Sequence, residues 1–574
     1  MFGWFYRCAP GLSIFLVITV IVFAFSTPTP SLAGCSFKQV SRSSLYLPAQ
    51  CLAGLTLSQV LLLAYTLITH ITLLTFGIKL SWSLHHVTKG IKAVRRAREL
   101  GIDPSGKKQQ LPHDAHTRSM HTLDECLDED FEYHGSDAQL LGKEVIHAVI
   151  VPNYMEDAAT LKTTLAVLAS HPRAATQYEI YLAMEQREPH VHAKASLLEK
   201  EMQTSFRNIE STFHPAGVPG EIAGKSSNVS FAARKIFQNY QNHPDADNVI
   251  ITVIDCDSHL LQDFFNEIRR YHITSPSTAH IQFYISPFVF DRNAHASPVF
   301  VRCSDLLWCW AGLSSLHPGA SISIPTSVYS LPLVLASRVG GWDADPTAIG
   351  EDMHMLLKTY FGCQGDIITK TIYSAASQCN VSSSLRNGSY WATYYDTLCA
   401  RYDQALRHMW GALDTGFALQ NTIRHRPKLR MNFFALWSLM WQAHFLSGHL
   451  LIMVLGTSVY SQVAPAANIH PALTYAFWLS ARMRDASFVT MNVAFTFYHW
   501  YHEACVEARR RDMAHIENVG DFSRRTWAPA FFADRILFPV AGILFGSLPM
   551  MQAVISHFWT TRLVYRVSKK PSFG

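Results

Sequence analysis

Long apolar runs crowd the two ends of this chain and leave a mixed sequence of ordinary polarity between them. Residues 11–25, 52–80, 433–460, 471–501 and 531–559 are the runs in question. Charged residues make up only 16% of the 574 residues, against roughly 25% in a soluble globular protein. The deficit sits in those runs. A chain built this way has to place its ends in a bilayer and fold its middle in water.

Positive charge beside a run fixes the direction of insertion. Run 11–25 follows Arg7 and is short against the roughly 20 residues that cross a bilayer core. A cleaved signal peptide is the rival reading, and Leu32-Ala33-Gly34-Cys35 resembles a lipoprotein cleavage box. We read the run as an uncleaved span, because 52–80 then returns the chain to its starting side. Lys89, Lys92, Arg95, Arg96 and Arg98 follow at once and mark that side as cytosolic. The large middle segment, about 86–430, is therefore expected in the cytosol.

The run at 433–460 reads as a span. Arg482, Arg484 and Asp485 break 471–501 into a half-embedded helix and a span over about 486–502. Arg509, Arg510, Arg511, Arg524 and Arg525 mark another cytosolic loop, and 531–559 is the last run. A single crossing there would put Arg562, Arg566, Lys569 and Lys570 outside, against the charge rule, whereas a re-entrant hairpin would not. Four to six spans are expected.

Net charge is +5, and the basic residues cluster beside apolar runs instead of lining one polar face. That excludes nucleic acid as the expected partner and leaves the bilayer. The eleven cysteines show no CxxC pair, and Cys303 and Cys309 do not make a zinc knuckle. Cys35 and Cys51 flank the loop between the first two runs and can pair if it faces an oxidising compartment.

The middle segment alternates short apolar runs with helical patterns. Strands are expected at 145–151, 179–182, 248–254 and 280–285, and helices at 194–209, 228–240 and 260–271. Strands alternating with helices imply an α/β sheet with parallel strands. Ligands of such sheets bind at the carboxyl edge.

Five pieces of sequence fall at or near such edges, in order. Val151-Pro152-Asn153-Tyr154-Met155-Glu156-Asp157 is a proline-kinked strand end whose exposed polar groups can wrap a nucleobase. Met184-Glu185-Gln186 places an acid after the second strand. Gly224-Lys225-Ser226-Ser227-Asn228 lets the backbone approach a ligand and offers a lysine to a phosphate. Asp255-Cys256-Asp257 ends an apolar strand in two carboxylates, a seat for a hard divalent cation. Gly350-Glu351-Asp352 opens a helix with two acids, one of which can serve as a general base.

Taken together and in this order, the five resemble the family 2 glycosyltransferases, which are inverting, have the GT-A fold, and in many cases are membrane-bound. The Val339-Gly340-Gly341-Trp342-Asp343 turn also looks like that family's lead-in to its catalytic acids. The resemblance covers about 145–415 and is to membrane-bound enzymes similar to synthases of the cellulose, hyaluronan and chitin type, with a transferase that glycosylates a membrane lipid as the alternative. It implies that Pro152, Tyr154 and Glu156 hold the nucleoside and that Glu185 touches the base. Lys225 and Asn228 would lie by the nucleotide. Asp255 and Asp257 would bind Mn²⁺ or Mg²⁺ with the diphosphate, and Asp352, with Glu351, would supply the base.

Membrane-bound members add a Gln-x-x-Arg-Trp motif on an interfacial helix. Here Gln404 and Arg407 fit, but His408 occupies the tryptophan position and Trp410 comes two residues later. By resemblance, Arg407 clamps a phosphate and Trp410 stacks on an acceptor sugar.

The expected architecture is an α/β GT-A nucleotide-sugar-binding domain, a mixed, mostly parallel sheet with flanking helices, inserted between N- and C-terminal transmembrane helices. Two spans fill 1–85, a juxtamembrane linker 86–140, the catalytic domain 141–400, interfacial helices 401–432 and the C-terminal membrane region 433–574. The expected partners are a nucleoside-diphosphate sugar, most simply a UDP-sugar, a glycan or lipid acceptor, and the plasma, Golgi or ER membrane. His499-x-x-His502, His444 and His449 read as packing residues beside this set. The Asn-x-Ser sites at 228, 380 and 387 read as cytosolic and unmodified.

Overall fold

A computed structural model of the chain describes residues 3–27, 49–100, 144–222, 224–383, 385, 388–463, 469–523 and 529–563. The acidic lead-in at 101–143, Cys35, Asn387, Arg524, Arg525 and the basic tail beyond 563 lie outside them. Cys51 is disulfide-bonded.

The middle segment forms a seven-stranded sheet in the order β3-β2-β1-β4-β7-β5-β8. The strands are β1 Ile146–Asn153, β2 Tyr178–Glu185, β3 Asn208–His214, β4 Val249–Val253, β5 Gln282–Ile285, β7 Tyr329–Pro332 and β8 Ile368–Thr371. All neighbours run parallel except β7, which is antiparallel to both β4 and β5. Every residue of β1, β2 and β4 is buried, which is why these strands read as unbroken apolar runs in place of alternating ones. Helices Ala158–Ala169, Val191–Met202, Lys225–Asn239 and Gln262–Thr274 connect and cover them. A short parallel pair, β6 Phe288–Phe290 with β9 Ala376–Gln378, stands beside the sheet.

The sequence reading found β1, β2, β4 and β5 and missed β3, β7 and β8. The helix expected over 194–209 stops at Met202, and its last residues enter β3 instead. β3 is an edge strand of mostly half-buried polar residues, so it carries little apolar signal.

Among the described residues, four helices are long and apolar enough to cross a membrane: Trp4–Ser26, Leu57–Glu99, Leu446–Val463 and Phe531–Ser556. The run at 433–460 is not one span, because the chain breaks at Phe445 between Met431–His444 and Leu446–Val463. Nor does 471–501 split into two pieces. It belongs to one 43-residue helix, Pro471–Met513, as long as the 43-residue Leu57–Glu99.

These two long helices lie side by side and parallel. His470 reaches Ala53 O (3.1 Å), Arg484 reaches His70 (2.9 Å), Thr490 reaches Leu74 O (3.4 Å) and Arg98 pairs with Asp512 (2.8 Å). They approach closely at Gly77, where a Cβ would sit 2.5 Å from Thr490 Oγ1 and 2.9 Å from its backbone carbonyl carbon. Gly77→Ala is therefore expected to cost about 1–3 kcal/mol through overpacking. A lowered unfolding midpoint in detergent checks this, and an unchanged midpoint contradicts the contact.

The last apolar helix starts against the catalytic domain through the buried Arg302–Asp534 pair (2.8 Å). It turns through a π-helical segment at Ile543–Ser547. Its end meets the first turn of Trp4–Ser26, where Trp4 and Arg7 both donate to Phe558 O. The opposite end of that first helix lies far away, where Ala24 O accepts from Gln59. Both ends of the last helix thus lie away from the Ala24 end of the first helix.

Candidate active site

The carboxyl ends of β1, β2 and β4 open into one cavity of about 360 Å³. Pro152, Tyr154, Glu156, Glu185, Lys225, Asn228, Asp255, Asp257, Glu351, Asp352, Gln404 and Arg407 all line it. Residues spread over more than 250 positions of sequence are brought together here.

At the end of β1 the chain turns through Met155, whose φ of 64° is unusual for a residue with a side chain. Buried Glu188 holds that turn, accepting from Met155 N–H (2.7 Å) and Asn153 Nδ2 (2.9 Å) while pairing with Lys194 (2.7 Å). Tyr154 N–H donates to Glu156 Oε2 (2.6 Å), and the Arg187 guanidinium lies 5.2 Å from the Tyr154 ring centre. Burial pushes the Glu156 carboxyl up to about 7, with the Asp257 charge adding to it. After β2, Glu185 receives Arg187 Nε (2.9 Å) and faces His214 Nδ1 (3.3 Å).

Lys225, at the first turn of Lys225–Asn239, joins three pieces of the site. Its Nζ lies 2.9 Å from Asp255 Oδ1, 3.3 Å from Glu351 Oε2 and 3.2 Å from Ser327 O. Burial opposes its charge, but Asp255, Glu351 and Asp352 outweigh that and hold the ammonium protonated well above the ordinary lysine range. Asn228 Nδ2 donates to Asn153 O (3.4 Å), which ties this turn to β1.

Asp257 is buried and lies 3.7 Å from Arg292 Nη2, whose Nη1 is 2.8 Å from His259 Nε2. Asp255 and Asp257 are hard oxygen donors in the same cavity, which is the ligand chemistry of Mg²⁺ or Mn²⁺. Among the described residues no group of three or more His, Cys, Asp or Glu could hold a metal ion.

Glu351 is buried beneath the site and accepts from Trp342 Nε1 (3.1 Å) and from Tyr329 Oη. Asp352, half-buried, accepts from Met353 N–H (2.8 Å) and lines the cavity. Burial raises both carboxyls, and Lys225 opposes the rise. Glu351 is committed to internal partners, whereas Asp352 lines the cavity with fewer of them.

Gln404 and Arg407 lie on helix Tyr390–Trp410, one turn apart and on the same face. Gln404 Oε1 accepts from Arg401 (2.9 Å), which is fully buried against Asp305 (2.9 Å). Trp410, the last residue of that helix, turns away from the cavity. Its Nε1 donates to Thr561 O (3.1 Å), its ring meets His557 edge-on at 4.9 Å, and it is absent from the cavity wall. A two-residue shift along a helix rotates a side chain by roughly 200°, which carries Trp410 away from the face of His408. His408 does line the cavity, edge-on to Trp308 at 4.6 Å.

Residues 250–481 match the model of the glycosyl transferase family group 2. Over that stretch the chain carries a glycosyltransferase family 2 domain. Comparison with curated proteins finds no match. Among solved structures, the glycosyltransferase is similar to the mannosyltransferase PcManGT from Pyrobaculum calidifontis in complex with GDP-Man and Mn²⁺. The identity is 14%, over 74% of this chain and 98% of that one, with a TM-score of 0.38. It also matches GalNAc-T7 with UDP, GalNAc and Mn²⁺ at 10% identity, over 50% and 55% of the two chains, with a TM-score of 0.28. TarS of S. aureus matches at 9% identity, over 60% and 55%, with a TM-score of 0.24.

Sequence reading missed the residues that brace this glycosyltransferase site. Glu188, Lys194, Arg292 and Arg401 are charged residues buried by partners distant in sequence, and no local pattern marks them. Trp342 stood in the quoted Gly-Gly-Trp-Asp turn without a role, and its indole holds Glu351. His444 lines the cavity and bonds Thr415 (2.8 Å), while His449 bonds Tyr65 and Ser13 among the membrane helices. His499 pairs with Glu503 (3.4 Å) within its own helix.

Proposed function

We propose that this chain is a multi-pass membrane glycosyltransferase. It transfers a sugar with inversion from a nucleoside-diphosphate sugar, most simply a UDP-sugar, to a glycan hydroxyl, and so builds a polysaccharide. The observation that carries this is the Lys225–Asp255–Glu351 ion network. It sets a phosphate-neutralising lysine, a metal-type acid pair and Asp352 in one cavity at the carboxyl edge of the sheet. That cavity continues past Gln404 and Arg407 to Ala443 and His444, beside the membrane helices. An acceptor held by the membrane region has a way in from that end.

Tyr154, Glu156 and Glu185 bind the nucleoside. Lys225 neutralises the diphosphate, with Arg407 adding charge from the interfacial helix. Asp255 and Asp257 would hold Mn²⁺ or Mg²⁺, which when bound supplies further neutralisation of charge on the leaving diphosphate. Asp352 takes the proton of the acceptor hydroxyl, which attacks the anomeric carbon from the face opposite the diphosphate. The basic residues after 86 set the catalytic domain in the cytosol, under the plasma membrane or the Golgi or ER membrane.

The test is incubation of the purified protein with a panel of radiolabelled UDP- and GDP-sugars, with and without Mn²⁺, followed by sizing of the product. A ladder of saccharides is expected. A single lipid-soluble product would replace the glycan acceptor with a membrane lipid, and no turnover with any donor would overturn the reading.

A further inference from the structure

Behind Asp352 lies a buried charge cluster that the transfer chemistry does not use. His354 is 2% exposed and follows Asp352 by two residues on helix Glu351–Gly362. Its Nδ1 lies 2.7 Å from Asp414 Oδ1 and its Nε2 lies 3.1 Å from Asp343 Oδ2. Both nitrogens face carboxylates, and a neutral imidazole has one N–H only. The geometry therefore suits the doubly protonated imidazolium. Burial alone would strip that charge, but the two carboxylates raise the imidazole to about 9.

The partners come from three parts of the fold. Asp343 ends the turn whose Trp342 holds Glu351, and Lys358, one helical turn beyond His354, grips its other oxygen (2.5 Å). Asp414 is fully buried at the start of helix Leu413–His425, directly after the interfacial helix. Its second oxygen, Oδ2, has no hydrogen-bond partner among the described residues and packs on Gly350, where a Cβ would come within 2.5 Å. Gly350 is the residue before Glu351-Asp352, and Gly350 O accepts the His354 backbone N–H (2.7 Å). Gly350, His354 and Asp414 thus close a ring around the start of the helix that carries the acids.

We propose that His354 is a positioning residue for the transfer step: through Asp414 and Asp343 it locks the first turn of the Asp352 helix to the interfacial helices. This rests on the reading of Asp352 as the base. A base displaced by about 1 Å can cost roughly 100-fold in rate. Removing the imidazolium also leaves the fully buried Asp414 carboxylate without its cation, which loosens that turn, while Asp343 keeps Lys358.

The experiment compares His354→Gln, Asp414→Asn, the double variant and Asp352→Asn, measuring kcat with a saturating UDP-sugar and UDP affinity by calorimetry. His354→Gln is expected to lower kcat at least fivefold with UDP affinity within twofold. The double variant is expected to be no slower than His354→Gln alone, because both changes remove one bridge. A kcat loss under fivefold, a matching loss of UDP affinity, or multiplying effects would each overturn the proposal. If His354→Gln does not fold, Asp414→Asn alone carries the same kcat and affinity criteria. Phe417→Leu, which trims the ring packed 4.2 Å from His354 and leaves the charges in place, is expected to lower the unfolding midpoint but keep kcat. An active Asp352→Asn would instead refute the base itself, whatever His354 does.

Discussion

Asp352→Asn is expected to lower transfer by about 10²–10⁴-fold while the donor still binds, the range typical of a lost general base. The substitution keeps the side-chain volume and the oxygen facing Met353 N–H (2.8 Å). It removes only the capacity to take a proton. The Lys225 contacts to Asp255 and Glu351 survive, so UDP affinity should stay near wild type. Retention of more than about a tenth of the wild-type rate would remove Asp352 from the role. The wild-type enzyme adds a check of sign. Burial raises the Asp352 carboxyl above the ordinary aspartate range, and a base works only when deprotonated. Activity should therefore fall as pH drops through that raised value.

Asp257→Ala is expected to abolish the dependence of UDP binding on Mn²⁺. Loss of a direct ligand should cost roughly 100-fold or more in metal affinity, since loss of a supporting group alone costs 10–100-fold. Calorimetry of UDP binding with and without Mn²⁺ reads this directly. The same UDP affinity in both conditions for the wild type, or an unchanged Mn²⁺ effect in the variant, would contradict the metal role. Asp257→Ala also strips buried Arg292 of a nearby carboxylate, 3.7 Å away, so a stability measurement belongs beside it. Asp257→Asn keeps the volume and separates the two effects.

Much of the cavity wall was legible because it sits where strands end. A buried parallel strand reads as an apolar run, and the first polar residues after it lie at the sheet edge by construction. That is how Glu185 and the acids at 255 and 257 announced themselves. β7 could not be read the same way: it is four residues long, ends in a proline and enters antiparallel from a distant part of the chain. The His354–Asp414 contact joins residues 60 apart on two different helices, and neither has a neighbour in sequence that hints at the other. Trp410 shows the limit of motif reading on a helix. The residue type was present, but two positions of rotation turned it to Thr561 and His557. The membrane runs were visible as composition, whereas their breaks and pairings depended on packing that composition does not encode.

The paired 43-residue helices have one more consequence. Each is roughly 64 Å long at 1.5 Å per residue, about twice the thickness of a bilayer core. The surplus is not a stalk. Leu80, Leu84, Val87 and Ile91 belong to the same apolar core as the strands of the sheet. On the proposed membrane topology, the cleft stands at a fixed height above the lipid, set by a continuous helix, and works like a tool clamped to a bench. An acceptor must be delivered to that one height. Cutting the domain free near residue 100 would not release a soluble enzyme but would pull a pillar out of its core.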